Sequence, residues 1–267
     1  MLVEVRNLTI RFGGRTVVDD VSFTLDSGQR LGIIGESGSG KTLTSLALIG
    51  LLPETASVTG SVLFEGKELI GASDRELSTL RGNSIGMVFQ EPLTALNPLM
   101  RVGKQISLPL RTHRGMNKRA SLQRATELCA RVGLPDPERI VRSYPHQLSG
   151  GQRQRIGLAI ALACSPRLLI ADEPTTALDV TVQKEVLALI EGLVREEGSA
   201  LVFVSHDLPV VSSMTDRVAV MNQGRVVELA DINTLFSRAS HEYSRMLVRT
   251  ARQSDEGLTA LTTGARR

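Results

Sequence analysis

Gly35, Gly40, Lys41 and Thr42 stand in the spacing of a phosphate loop, GESGSGKT, directly after the apolar run from Leu31 to Ile34. Glycines here let backbone N–H groups turn inward around phosphate oxygens, and a helix starting near Gly40 points the positive end of its dipole at the anion. Glu36, Ser37, Gly38 and Ser39 complete the loop. The chemistry is nucleotide binding: Lys41 reaches the β- and γ-phosphates, and the Thr42 hydroxyl helps hold Mg²⁺. A Gly/Ser-rich turn that only capped a helix would leave Lys41 and Thr42 without a reason. Further along, the apolar residues Leu168, Leu169, Ile170 and Ala171 predict a buried strand that ends abruptly in Asp172-Glu173-Pro174. Two carboxylates at that strand tip would face the phosphates. A third stretch, Leu148, Ser149, Gly150, Gly151 and Gln152, reads by itself as a Ser-capped helix start with two close-approach glycines, ahead of the apolar face Ile156, Ala159, Ile160 and Ala163.

These groups need a scaffold, and the patterning supplies one. Residues 2–12 and 16–25 alternate as strands of an N-terminal sheet joined at Gly13-Gly14. Residues 30–35 predict the buried strand entering the phosphate loop and residues 41–51 the helix leaving it. Residues 61–65 and 85–90 predict further strands, with a short polar helix at 74–80 between them. From about 92 to 165 the strand signal gives way to helical periodicity at 102–112, 118–132 and 151–163. Strands return at 168–171, 200–205 and 217–221, alternating with helices at 182–195 and 208–213. Alternation around a phosphate loop predicts an α/β chain whose mainly parallel sheet binds nucleotide at its carboxyl end, with the helical stretch inserted between core strands.

Composition narrows the class. A chain of 267 residues with 42% hydrophobic content can bury one core or two joined lobes. No apolar run reaches the roughly 18 residues of a spanning helix, and MLVEVRNLTI has no basic segment followed by a long apolar one, so neither a membrane span nor an export signal is expected. Cys129 and Cys164 lack metal-ligand spacing and predict structural thiols in a reducing compartment. A net charge of +3 is too small to predict nucleic-acid binding.

With LSGGQ added to the phosphate loop, the chain from about Leu2 to Arg249 closely resembles the nucleotide-binding subunits of ATP-binding-cassette (ABC) transporters. The resemblance implies a P-loop NTPase cassette with a RecA-like core, an N-terminal antiparallel β subdomain and an inserted α-helical subdomain. It implies a single nucleotide-binding domain over 1–250: core and β subdomain at about 1–91 and 166–230, helical subdomain at 92–165, C-terminal helices at 231–250. A loosely structured tail is expected at 251–267. By resemblance to the Walker B motif, Asp172 supports Mg²⁺ through water and Glu173 polarises the attacking water. Gln90 matches the Q-loop glutamine, which touches Mg²⁺ and water, and His206 in VFVSHDL matches the switch histidine that contacts the γ-phosphate. Phe12 occupies the place of the aromatic ring that stacks on adenine. TALD, ending at Asp179, resembles the D-loop, and capping of the helix that follows accounts for Asp179 equally well. The signature residues Leu148 to Gln152 are implied to act on ATP held by an opposing subunit.

The stretches FQEPLTALNPLMRVG, YPHQLSGGQ, ADEPTTALDVTV and HEYSRML look like the dipeptide, oligopeptide and nickel importer ATPases. The resemblance therefore implies an ATP-hydrolysing subunit at the cytoplasmic face of the inner membrane. Implied partners are a second ABC ATPase subunit, identical or different, two transmembrane permease subunits and an external substrate-binding protein. Residues 90–101 should border the groove that receives a coupling helix. ATP and Mg²⁺ are the expected cofactors. No cysteine follows Cys164, so no iron–sulfur cluster is expected. Di- or oligopeptides are the expected cargo, nickel or metallophore transport is the alternative that also fits, and the phosphate chemistry is shared with exporter ATPases. A single cassette without coiled-coil heptads or a basic stripe argues against a soluble switch on nucleic acid or ribosomes.

Overall fold

The N-terminal alternation forms β1 (Val3–Phe12) and β2 (Arg15–Leu25), paired antiparallel, with Val3, Val5, Leu8 and Ile10 of β1 turned into a core. After β3 (Arg30–Ile34) and the helix Lys41–Ala47, β4 (Ala56–Phe64) pairs antiparallel with the other edge of β1, and β5 (Lys67–Glu68) closes a four-stranded sheet of order β2-β1-β4-β5. The computed structural model describes residues 1–90, 95–176 and 178–264.

A second sheet holds β6 (Ile85–Val88), β7 (Leu168–Asp172), β8 (Ala200–Ser205), β9 (Arg217–Asn222) and β10 (Arg225–Asp231) in the order β10-β9-β3-β8-β7-β6. All its pairings are parallel except the β9–β10 hairpin. β7 and β8 are buried along their whole length, as parallel strands covered on both faces must be. Their side chains alternate between two cores. Leu169, Ala171, Leu201 and Phe203 join the core shared with the helical insertion. Leu168, Ile170, Ala200, Val202 and Val204 join the core beneath the N-terminal sheet.

Between β6 and β7 run the helices Val102–Arg114, Lys118–Arg131 and Pro137–Arg142, a 3₁₀ turn at Pro145–Gln147, and the helix Gly150–Ala161. After β7 come the helix Val180–Glu197 and, beyond β8, the helix Leu208–Met214; Ile232–Arg238 and Glu242–Gly264 end the chain.

Several boundaries differ from those the sequence predicts, each for a local reason. The helix after the phosphate loop stops at Ala47 because Gly50 enters the left-handed region (φ 61°) and Leu51 N–H returns to the Leu46 carbonyl at 2.9 Å, a Schellman closure. β4 begins at Ala56 because Phe12 of β1 extends a pairing partner that far. β6 stops at Val88, two residues before Gln90. The helix Pro137–Arg142, capped by Asp136, is too short to show periodicity. The last helix continues through Gly264, across most of the 251–267 stretch for which the sequence predicts loose structure. Buried Val248 and Ala251, and Arg252 Nη2 donating to the Phe236 carbonyl at 2.7 Å, carry the helix past residue 250. Residues 91–94, within the stretch expected to border the coupling groove, and Ala177 of TALD lie outside the described residues, as do 265–267 of the tail.

Candidate active site

β3 delivers the chain into residues 35–42 at the carboxyl end of the parallel strands. Gly35 admits no side chain: a Cβ there would lie 2.2 Å from the Met221 carbonyl oxygen and 2.6 Å from Ser39 Oγ. Gly40 caps the following helix at φ 97°, a conformation that favours glycine, and no side chain caps that helix end. The Lys41 side chain is folded back into the loop, with Nζ donating to the carbonyls of Gly35 (2.8 Å) and Glu36 (2.9 Å). Burial lowers its pKa, opposed by the nearby carboxylates of Glu173 and Asp172. Ser39 Oγ is buried without a hydrogen-bond partner. An orphaned hydroxyl in a glycine-framed loop beside a lysine fits a ligand rich in acceptor oxygens.

The Thr42 hydroxyl donates to Asp172 Oδ1 at 3.5 Å, linking the helix start to the tip of β7. Asp172 is 2% exposed, and its pKa is pushed up to about 6, chiefly by desolvation; the Thr42 hydrogen bond and Lys41 oppose the rise and Glu173 adds to it. A carboxylate and a hydroxyl so placed are the hard oxygen donors Mg²⁺ takes, one protein carboxylate plus substrate phosphates being its usual set.

Glu173 is the hub. Its backbone sits at φ 44°, an uncommon conformation for a residue with a side chain, and its N–H donates to the Val204 carbonyl at 2.9 Å. Its Oε2 accepts from Thr176 Oγ1 (2.9 Å) and Gln90 Nε2 (3.2 Å), with His206 Nδ1 3.5 Å away. Its Oε1 lies 3.9 Å from Lys41 Nζ. Residues from four separate stretches thus converge on one carboxylate that is mostly buried, while His206 stays largely exposed.

These groups open onto a cleft of about 610 Å³ lined by residues of the phosphate loop, Gln90, Glu173, His206, Val17, Tyr243 and Leu247. Phe12 is not among its lining residues. It ends β1 opposite Arg15 and Ala56 and packs, half-buried, on the core under the N-terminal sheet, while Val17 of β2 takes the cleft position. None of Leu148, Ser149, Gly150, Gly151 or Gln152 lines the cleft either. Ser149 caps its helix in a reciprocal capping box with Gln152, and Leu148 is buried beneath. Asp179 caps the helix Val180–Glu197, Oδ1 accepting from Thr181 and Val182 N–H at 3.1 and 3.0 Å. Val17, Thr176, Tyr243 and Leu247 are site residues that motif spacing alone does not mark. Tyr243 and Leu247 belong to HEYSRML, which carried a signal of likeness but no hint of proximity. Cys129 and Cys164 are buried free thiols, and burial pushes that of Cys129 up to about 12.

The ABC transporter family model matches residues 18–176. The chain is 47% identical over 249 residues to the oligopeptide transport ATP-binding protein OppD of Bacillus subtilis (strain 168), covering 91% of this chain and 70% of that one. It is 45% identical over 249 residues to the dipeptide transport ATP-binding protein DppD of Lactococcus lactis subsp. cremoris (strain MG1363), covering 91% and 71%. Among solved structures it is similar to the dimeric post-hydrolysis state of the ATP-binding cassette MJ0796 bound to ADP and Pi. That likeness has a TM-score of 0.77 and 30% identity, covering 86% of this chain and 99% of that one.

Proposed function

This chain belongs to the ABC transporter family, and from that premise we propose that it hydrolyses ATP at the cytoplasmic face of the inner membrane to drive uptake of di- or oligopeptides. It is an ATPase subunit of the ATP-binding-cassette type. The peptide assignment is supported by relatives named for oligopeptide and dipeptide transport that match 91% of the chain.

The observation that carries the hydrolytic reading is the convergence of Thr176, Gln90, His206 and Lys41 on Glu173. Glu173 takes the proton of the attacking water, and the donors on its Oε2 fix where its free lone pairs point. General-base action of this kind contributes about 10²- to 10⁴-fold. Lys41, already desolvated, presents its charge to the phosphates, and residues 35–42 offer backbone N–H groups around them. Mg²⁺, when bound, neutralises charge on the phosphates; Thr42, Gln90 and Asp172, the last through water, would hold it. Phe12 and Val17 are assigned to the adenine end.

The signature residues Leu148 to Gln152 act on ATP held by a second cassette, a reading supported by their position outside the chain's own cleft and by the dimeric relative. Asp179 is assigned to communication across that dimer. Two permease subunits complete the transporter on the membrane side, fed by an external binding protein. Their docking place is assigned to the larger cavity of the helical insertion, about 930 Å³, where Leu99 is 88% exposed among Arg101, Lys104, Arg111 and Arg119.

The test is recovery of the Glu173→Gln protein from native membranes with ATP and Mg²⁺, followed by uptake assays in vesicles on the same assembly carrying the parent chain with Glu173. Co-recovery of permeases and peptide uptake that requires an external binding protein are expected. Efflux of peptide, or recovery with ribosomes and no membrane protein, overturns the importer reading.

A further inference from the structure

Tyr243 lies more than two hundred residues from the phosphate loop in sequence, yet its hydroxyl oxygen accepts a hydrogen bond from the Glu36 N–H at 3.0 Å. The carbonyl of that same Glu36 accepts from Lys41 Nζ at 2.9 Å. One end of the residue is thus held by the C-terminal helix and the other holds the phosphate-binding lysine. Tyr243 is 8% exposed and lines the nucleotide cleft, where Leu247, one helical turn on, joins it; it also borders a smaller cavity with His241, Glu242 and Met246.

The helix that presents Tyr243 is fixed before it starts. Glu228 of β10 accepts from the N–H groups of Ser240 (2.8 Å) and His241 (3.1 Å), and His241 Nδ1 accepts from the Tyr243 N–H at 3.2 Å. Downstream, Val248 and Ala251 are buried in the core shared with the helical insertion. A side chain clamped on both sides is a fixed point against which a glycine-rich loop can be registered.

We propose that Tyr243 is a positioning residue for ATP: through Glu36 it sets the register of the phosphate loop and of Lys41, making nucleotide affinity a property of the C-terminal element as well as of residues 35–42. The inference rests on the reading of this cleft as the ATP site. Tyr243→Phe keeps the ring and removes the hydroxyl, leaving the Glu36 N–H to the water of the cleft that Glu36 lines.

The experiment compares the full chain, its Tyr243→Phe and Glu228→Gln variants and a Lys41→Ala control in ATP binding, steady-state hydrolysis and nucleotide-free melting. A net loss typical of one hydrogen bond predicts that Tyr243→Phe weakens ATP binding and raises KM about three- to tenfold. With ATP saturating, kcat should stay within about twofold, and the nucleotide-free Tm should not move. Glu228→Gln, which loosens the turn behind Tyr243, should shift KM the same way by less. The chain has two tyrosines and no tryptophan, so in a Tyr144→Phe background the emission of Tyr243 alone should change on ATP binding. If Lys41→Ala loses ATP while Tyr243→Phe binds it like the parent, or if its KM rises only in step with a fall in Tm, the positioning role is refuted. If Lys41→Ala itself binds ATP normally, the fault lies with the reading of the cleft, and the inference goes with it.

Discussion

Replacing Glu173 by Gln is the sharpest perturbation available, because it keeps the shape of the side chain and removes its charge. Oε2 accepts from Thr176 and Gln90 and faces His206, whereas Oε1 faces Lys41. A glutamine keeps the contacts on Oε2 in one orientation only: its oxygen accepts from Thr176 and Gln90, and its amide nitrogen replaces Oε1, giving up the ion pair with Lys41. The pocket therefore holds the substitute in place, and the loss is chemical. An amide has no lone pair basic enough to take a proton from water, so kcat should fall by about 10²- to 10⁴-fold. At 1.36 kcal/mol per factor of ten this is about 2.7–5.4 kcal/mol of lost transition-state stabilisation. ATP affinity should hold or rise, since a carboxylate 3.9 Å from Lys41 no longer opposes the phosphates. Phosphate release from the assembled transporter gives kcat, and equilibrium ATP binding gives affinity. Size-exclusion chromatography with ATP should show a cassette dimer that does not dissociate. A kcat within about threefold of the parent would refute the assignment of Glu173 as base; so would an affinity loss with kcat unchanged, which would make it a binding residue.

Thr176→Val removes a hydroxyl bonded to the same carboxylate at 2.9 Å, so kcat should fall about three- to tenfold with KM unchanged, and Thr176→Ser should restore it. Gly32→Ala puts a Cβ 2.3 Å from Val211 Cγ1 and 2.9 Å from Thr215 Oγ1 in the middle of β3; thermal or urea unfolding should show a loss of about 1–3 kcal/mol. Cys129 and Cys164 should resist iodoacetamide at pH 8 in the native protein and react fully in denaturant, because both are buried and burial raises both thiol pKa values; mass spectrometry reads the labelling.

The parts of the fold legible in the sequence are those whose signal is local. β7 and β8 announce themselves as apolar runs because both faces are covered, and Asp74–Leu80 begins at a Ser73–Glu76 capping box written in consecutive letters. β10 does not, because an edge strand of the sheet is only partly buried and owes its existence to the hairpin with β9. The sequence predicts Gln90 at a strand end, yet β6 ends at Val88, and it is the chain beyond it that carries the glutamine to Glu173. Phosphate-loop chemistry is readable from residue types and spacing. The contacts of Tyr243 with Glu36 and of Gln90 with Glu173 span 207 and 83 residues, and only the closed fold brings them together. Phe12 shows the opposite case: the family resemblance implies a ring against adenine, whereas the lining of the cleft includes Val17 of β2 and not Phe12.

The left-handed backbone of Glu173 bears on how such a protein can change over generations. A non-glycine residue held there costs on the order of 1–3 kcal/mol. Asn or Gly at 173 would relax the turn, giving a higher melting temperature together with loss of hydrolysis. A more stable and inactive relative therefore lies a substitution or two away. Selection for stability alone would drift toward it, and only selection for turnover holds a glutamate at this position. The same reasoning warns that a screen of variants by thermal stability would enrich changes at Glu173 that a screen by uptake would discard.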